Sequence, residues 1–295
     1  MKLNEITAFV LVAETGSVQA AAARLHMTQS AVSRLVQRLE TELRTLLFDR
    51  QTKPLSLTHD GHAALEHGRR VLAIVGDFSS ALSPTGEPTG LLRIGAAHAL
   101  SPLVAGRPLD LLRERYPKLV LQIASDWTGG LVERVHTGAL DGAVILLPAG
   151  AEPRHDLHAR RLRDEEICLI GSTARAATPP GSLREMNEIG WIVQPEGCGY
   201  RAALTQALER LGAGPPRIVV EAFGQDLQMS VVARGAGFGL LPASQLRGLG
   251  EGRGVRAVQA PDFQLTVSLW FVRQHQAGRL TSALDAIEQI VTEME

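Results

Sequence analysis

Residues 17–34 read Ser17-Val18-Gln19-Ala20-Ala21-Ala22-Ala23-Arg24-Leu25-His26-Met27-Thr28-Gln29-Ser30-Ala31-Val32-Ser33-Arg34, and this stretch decides the fold of the N-terminal part. Ser17 and Thr28 suit helix N-caps because a side-chain oxygen can accept from the unpaired amides of a first turn. Ser17 opens a helix over Val18 to Leu25, and Thr28 opens another that runs to about Leu43. The second carries Val32, Leu35, Val36, Leu39 and Leu43 on one face and Ser30, Ser33, Arg34, Gln37 and Arg38 on the other. Upstream, Leu3, Ile6, Phe9, Val10 and Ala13 recur at helical spacing, and Gly16 ends that helix. Downstream, Leu46 to Arg50 and Leu55 to Thr58 flank Gln51-Thr52-Lys53-Pro54, which reads as two short strands around a turn with a basic tip.

Helix, tight turn, helix and basic hairpin outline a winged helix-turn-helix, whose second helix enters the major groove by its N-terminal end. Here that end offers Thr28, Gln29, Ser30, Ser33 and Arg34. Gln can bridge adenine N6 and N7, Arg can bridge guanine O6 and N7, and Ser or Thr suits either base or a phosphate. Arg38, Arg50 and Lys53 complete the candidate DNA-contacting set. Residues 24–53 hold six basic and three acidic side chains within a chain of net charge −1. A plain trihelical unit with a solvated charged face has the same outline, so the pattern alone leaves both readings open.

The 295-residue chain is long enough for about two domains at roughly 100–200 residues each. With 45% hydrophobic and 21% charged residues it is globular rather than disordered. Thirty basic against 31 acidic residues exclude a uniformly basic polymer binder. At 4% aromatic, a base-stacking platform for single strands is disfavoured. No apolar run approaches the ~18 residues of a membrane helix. The first fifteen residues carry Glu5 and Glu14, unlike a signal peptide. Two cysteines, Cys168 and Cys198, give no disulfide framework. The expected compartment is the cytoplasm, with no membrane partner.

Residues 59–82 read as one long helix in which Ala64, Gly68, Val71, Val75, Phe78 and Leu82 alternate four and three apart. That is a heptad seam, read here as intermolecular rather than as packing on its own domain, with Val71, Val75, Phe78 and Leu82 the dimerisation candidates. Pro84, Gly86, Pro88 and Gly90 then form a linker. From Leu91 onward strands alternate with helices, among them a single helix over Pro102 to Tyr116 and a strand over Ile167 to Gly171. Such alternation implies mostly parallel sheet, in one sheet or two lobes.

The run Phe9-Val10 to Gly16-Ser17, then Ala20 to Arg34, Leu39-Glu40 and Leu47-Phe48-Asp49-Arg50, with Leu57-Thr58 to Gly61, strongly resembles the N-terminal domain of LysR-type transcriptional regulators. Arg93-Ile94-Gly95, Arg115-Tyr116-Pro117, Gly138 to Asp141 and Ala233 to Pro242 look like that family's effector-binding domain. Two positions depart from the family: Ser30 stands where Pro is usual, and Arg44 where Gly is usual.

The resemblance implies a winged helix-turn-helix over residues 1–58 and a linker helix and hinge over 59–89. It implies a periplasmic-binding-protein-like α/β effector domain of two subdomains over 90–295. Lobe I is expected at about 90–161 and 267–295, and lobe II at about 162–266. It implies a sequence-specific regulator whose DNA binding or bending answers to a non-covalent small molecule held between the lobes. Its expected partners are double-stranded DNA, that effector, further copies of itself as homodimer or homotetramer, and RNA polymerase.

Family correspondence places the effector near His98, Ala99 and Ser101, near Ser125 and Thr128, near Gly197, Cys198, Tyr200 and Arg201, and near Gln225. Relatives carry hydroxyls where this chain has Ala97 and Ala99, which points to a less polar or differently oriented ligand than a simple organic acid. Ser101 and Thr128 read equally as N-caps. Trp127 reads as cleft floor or as core, and Arg201 as a partner for an effector carboxylate or for an acidic side chain. Cys198 invites a redox reading but lacks an evident resolving partner. His59 with His62, and His155 with His158, are spaced like metal ligands without a third, so no metal is expected. A solute receptor and an enzyme are the competing classes. The basic head argues against the first, and no phosphate loop, dinucleotide fingerprint, G-x-S-x-G or H-E-x-x-H supports the second.

Overall fold

The computed structural model describes residues 1–49, 55–81, 88–174, 181–248, 253–275 and 278–293. Arg50, Lys53 and Leu82 fall outside these residues.

The head is assembled from local signals. Helix α1 (Leu3–Thr15) ends at Gly16, which takes the left-handed conformation at φ 62°. Ser17 caps α2 (Val18–Arg24) by accepting from the Ala20 amide, and Thr28 caps α3 (Gln29–Leu43) by accepting from the Ala31 amide. Ile6, Phe9, Val12, Val32, Leu35 and Leu39 close a small core, each such burial contributing roughly 1.5–3 kcal/mol. Strands β1 (Phe48–Asp49) and β2 (Ser56–Leu57) pair antiparallel as the base of the wing.

Buried Glu40 explains the Leu-Glu motif. Its carboxylate accepts from the Leu47 amide at 2.9 Å and the Phe48 amide at 3.3 Å, so it fixes the turn into β1. Thr58 donates to the Leu46 carbonyl at 2.7 Å and accepts from the Gly61 amide at 2.9 Å. A Cβ on Gly61 would lie 2.1 Å from the Leu47 carbonyl oxygen, so only glycine lets the next helix leave here.

Helix α4 (His59–Ala81) divides the expected seam. Ala64, Leu65 and Leu72 pack on the head core, and Gly68 abuts Val10 and Ile6 of α1. Farther on, Val71, Ile74 and Phe78 are 36%, 56% and 69% exposed. The start of the seam is therefore intramolecular, because α4 lies against its own head, and among the described residues the part from Val71 onward presents an uncovered apolar face.

The body is a mixed sheet flanked by helices. Its elements are β3 (Gly90–Ala97), α5 (Ser101–Ala105), α6 (Arg107–Arg115), β4 (Leu119–Asp126), α7 (Thr128–His136), β5 (Gly142–Pro148) and β6 (His158–Ser172). There follow α8 (Leu183–Ile189), β7 (Trp191–Val193), α9 (Gly199–Arg210), β8 (Ile218–Glu221), α10 (Gln225–Ala233) and β9 (Gly239–Pro242). The last are α11 (Ala243–Gly248), β10 (Val255–Val258), β11 (Leu265–Arg273) and α12 (Thr281–Glu293). The main sheet runs β10-β6-β11-β5-β3-β4, with β9 also on β6, and a second sheet pairs β7 with β8.

Only β3–β4, β3–β5 and β7–β8 are parallel among the described strands. The expectation of a mostly parallel sheet is corrected: β11 enters between β5 and β6 and runs opposite to both. The expected helix over Pro102 to Tyr116 is two helices, broken at Gly106. Strand β6 extends far beyond Ile167–Gly171; its outer part pairs with β11 and its inner part with β9 and β10. That one strand thus carries the chain from the half built on β3, β4 and β5 to the half built on β7 to β10.

Candidate functional site

The N-terminal end of α3 is solvent-facing. Thr28, Gln29, Ser30, Arg34 and Arg38 are exposed and Ser33 is half-buried. Thr28 is occupied with its cap, and its hydroxyl lies 3.1 Å from that of Ser30. The side chains of Gln29, Ser33, Arg34 and Arg38 engage no other described residue. Side chains left unpaired on one rigid helix face can take a base edge or phosphate without first breaking an internal bond. The opposite face, Val32, Leu35, Val36 and Leu39, is buried and fixes the helix orientation. Arg44, the second departure from the family, ends α3 at φ 56°, in the left-handed region where a side chain is strained.

The body's candidate residues behave differently, because they engage one another. Ser101, Ser125 and His98 form a chain: the two hydroxyls lie 2.8 Å apart and Ser125 Oγ is 2.7 Å from His98 Nδ1. The His98 ring meets Trp127 edge-to-face at 4.4 Å. Trp127 in turn fills the space over Gly197, where an added Cβ would lie 2.9 Å from the Trp127 Cβ. Gly197 stands at φ 93°, so glycine is required there twice over. Trp127 is half-buried and packs against the core of the body, and it also joins the β4–α7 loop to the loop before α9.

Ser101 is the first residue of α5 rather than its cap. Thr128 is not a cap either; its hydroxyl donates to the Leu146 carbonyl at 2.9 Å and ties α7 to β5. Arg201 takes the acidic-partner reading, with Nη1 2.6 Å from Glu221 Oε1. Ala99 is half-buried against the core. Cys198 is 5% exposed, and burial pushes its thiol up, which keeps it protonated and poorly reactive. No group of three His, Cys, Asp or Glu among the described residues is placed to hold a metal.

Three buried polar atoms near these loops have no partner among the described residues: Tyr200 Oη, Gln194 Oε1 and Gln225 Nε2. Burial also pushes the Tyr200 phenol well up, so it stays a neutral donor. Gln194 was not anticipated from sequence; nothing in its spacing marks it, and only its burial without a partner does. Nor does anything in the sequence mark Glu221, which pairs with Arg201.

The head and body together make a two-part chain, a helix-turn-helix head joined by one long helix to an α/β body. The "Bacterial regulatory helix-turn-helix protein, lysR family" model matches residues 3–62, and the "LysR substrate binding domain" model matches residues 85–295. The chain belongs to the LysR family of transcriptional regulators. Among curated relatives, it is 27% identical over 287 residues to the HTH-type transcriptional regulator GltR of Bacillus subtilis, covering 97% of this chain and 94% of that one. It is 28% identical over 292 residues to CzcR of Bacillus cereus, covering 98% of each. Among solved structures, a full-length OxyR variant from Pseudomonas aeruginosa superimposes with a TM-score of 0.82 at 21% identity, covering 100% of this chain and 96% of that one. CbnR complexed with its target DNA gives 0.61 at 19% identity, covering 98% and 100%. The protein is a DNA-binding transcriptional regulator rather than an enzyme.

Proposed function

We propose that residues 1–58 read duplex DNA through Gln29, Ser30, Ser33 and Arg34, with Thr28, Arg38, Arg50 and Lys53 setting register on the backbone. Residues 59–89 join this head to an effector-binding body over 90–295, divided into lobes at about 90–161 with 267–295 and at 162–266. The observation that carries the DNA reading is the α3 N-terminal face, exposed and with Gln29 and Arg34 unpaired among the described residues.

The effector sits between the lobes, against His98, Ser101 and Ser125 on one side and Tyr200 and Gln225 on the other, with Gly197 and Cys198 shaping the wall. Arg201 is already neutralised by Glu221, and the unmet groups are a phenol, an amide oxygen and an amide nitrogen. An uncharged ligand with both donors and acceptors fits that set better than a simple organic acid. Ala97 and Ala99, where relatives carry hydroxyls, support the same reading.

Self-association uses the uncovered half of α4, at Val71 and Phe78, continued by Val75 and Leu82. Exposed Val120 and Ile123 on the edge strand β4, and Phe223 and Leu227 at α10, suit a second contact that builds tetramers. Family membership supports RNA polymerase as a further partner and the cytoplasm as the compartment. No described helix is long and apolar enough to cross a membrane.

The test is to bind the full chain to fragmented genomic DNA from its source at moderate salt and to sequence what is retained. The expected result is a few enriched sites with a two-fold-related pattern. Uniform recovery would mean that the head supplies only salt-dependent electrostatic affinity.

A further inference from the structure

A cavity of about 290 Å³ lies where α1, α4 and the first half of the body meet, on residues other than those assigned to the effector cleft. Its apolar wall comes from all three parts: Val10 and Leu11 of α1, Leu72 of α4, and Leu140 and Leu280 of the body. Its charged wall is set by arginines. Arg70 is satisfied, with Nη2 2.8 Å from Glu66 Oε1 and 3.2 Å from the His136 carbonyl. The other three share two carboxylates.

Glu14 Oε1 accepts from Arg69 Nε at 3.2 Å but stands 3.7 Å from Arg93 Nη2, too far for a hydrogen bond. Asp141 spends its Oδ2 on the backbone amide of Arg93, at 2.6 Å, and meets Arg93 and Arg279 only through the field. Arg279 has no hydrogen bond or ion pair among the described residues. It lies over Gly90, whose φ is 94° and where an added Cβ would stand 3.2 Å from Arg279 Nη2. The backbone therefore leaves room for a guanidinium that no described residue uses. Arg279 keeps its planar donor fork free and Arg93 is held only by the long ion pair to Glu14, at one end of an apolar-walled cavity, the arrangement that a carboxylate fills bidentately.

We propose that this junction is a second ligand site, for a small amphipathic carboxylate whose head sits between Arg93 and Arg279 and whose apolar part lies against Leu72, Leu140 and Leu280. A ligand there touches the head, the long helix and the body at once. It also competes with Glu14 for Arg93, so its occupancy alters how the head is tied to the body.

The experiment is calorimetric titration of the full chain at fixed ionic strength with sodium octanoate, octan-1-ol and inorganic phosphate. Octanoate should bind at one per protomer, at least tenfold tighter than either octanol or phosphate. Arg279→Gln should weaken octanoate at least tenfold and leave octanol unchanged. Glu14→Gln should tighten octanoate several-fold, because it removes the competing carboxylate, an effect that a nonspecific greasy slot cannot give. The double variant His98→Ala with Ser125→Ala should leave octanoate binding unchanged. The proposal is overturned if octanoate gives no heat into the millimolar range, if octanol or phosphate matches it, or if Arg279→Gln has no effect. It is also overturned if the His98/Ser125 variant abolishes binding, which would place octanoate in the cleft.

Discussion

The head and the body dispose of their polar side chains in opposite ways. On the head, Gln29, Ser33, Arg34 and Arg38 engage no other described residue, and the groups that hold the fold, such as Glu40 and Thr58, are spent on backbone. In the body, the nominated residues bond to one another: His98 with Ser125, Ser125 with Ser101, Arg201 with Glu221. A surface that reads a highly charged polymer gains from donors left free, since the polymer arrives with its own acceptors. A site for a small molecule gains from side chains already oriented, with only the last few groups left for the ligand.

The contrast is most exposed to refutation at Glu40. Glu40→Ala leaves the buried amides of Leu47 and Phe48 without their acceptor and should cost the head about 3 kcal/mol. Urea unfolding followed on the full chain should show an early transition belonging to the head; a single unshifted transition would mean that Glu40 does not hold the turn.

Next comes Tyr200, whose buried hydroxyl has no partner among the described residues. Tyr200→Phe should stabilise the ligand-free protein by about 1–2 kcal/mol, because an unsatisfied hydroxyl no longer has to be desolvated. A loss of stability instead would mean that the hydroxyl is already satisfied.

Arg44 offers a gain on the head. Arg44→Gly relieves a left-handed residue, and after the added chain entropy of glycine the net should be about 0.5–1 kcal/mol of stabilisation, read as a raised Tm. The smallest change is Ser125→Ala, under about 1 kcal/mol because the site is open to water. Its signature is the imidazole NMR resonances of His98, which should move as Nδ1 loses its partner; unmoved resonances would deny the chain from Ser101 to His98.

The pH response separates the regions as well. Burial raises the Asp141 carboxyl, so the folded protein holds that proton more tightly than the unfolded chain does. Stability from this group is therefore gained as pH falls through its raised value toward the ordinary carboxylate range, and lost as pH rises through it. Asp141→Asn should flatten that part of the stability–pH curve.

The head was legible because its instructions are local. Ser17, Thr28 and Gly16 act within four residues, and the buried face of α3 repeats at helical spacing. The body was legible only as an alternation. The outer half of β6, residues 158–166, is rich in charge; Arg160 reaches Glu288 on α12 and Arg161 reaches Asp164, so no apolar pattern announces a strand. The insertion of β11 between β5 and β6 joins segments about a hundred residues apart, and no window of sequence carries that. The break between α5 and α6 has a local signal, Gly106 followed by Pro108, which the reading of one helix over Pro102 to Tyr116 passes over. The body's site residues came from family resemblance. Gln194 and Glu221, which matter as much to the cleft's charge and hydrogen bonding, were marked by nothing short of the fold.

That α3 reads bases with side chains held free for the purpose can be tested by a pair of binding isotherms at one salt concentration. They are taken on a genomically enriched duplex and on a scrambled duplex of equal length, for the native chain and for Arg34→Ala. The native chain should prefer the enriched duplex. Arg34→Ala should lose about 1–3 kcal/mol on that duplex and little on the scrambled one. Equal affinity of the native chain for both duplexes, or an equal loss on both in the variant, would contradict base reading by α3.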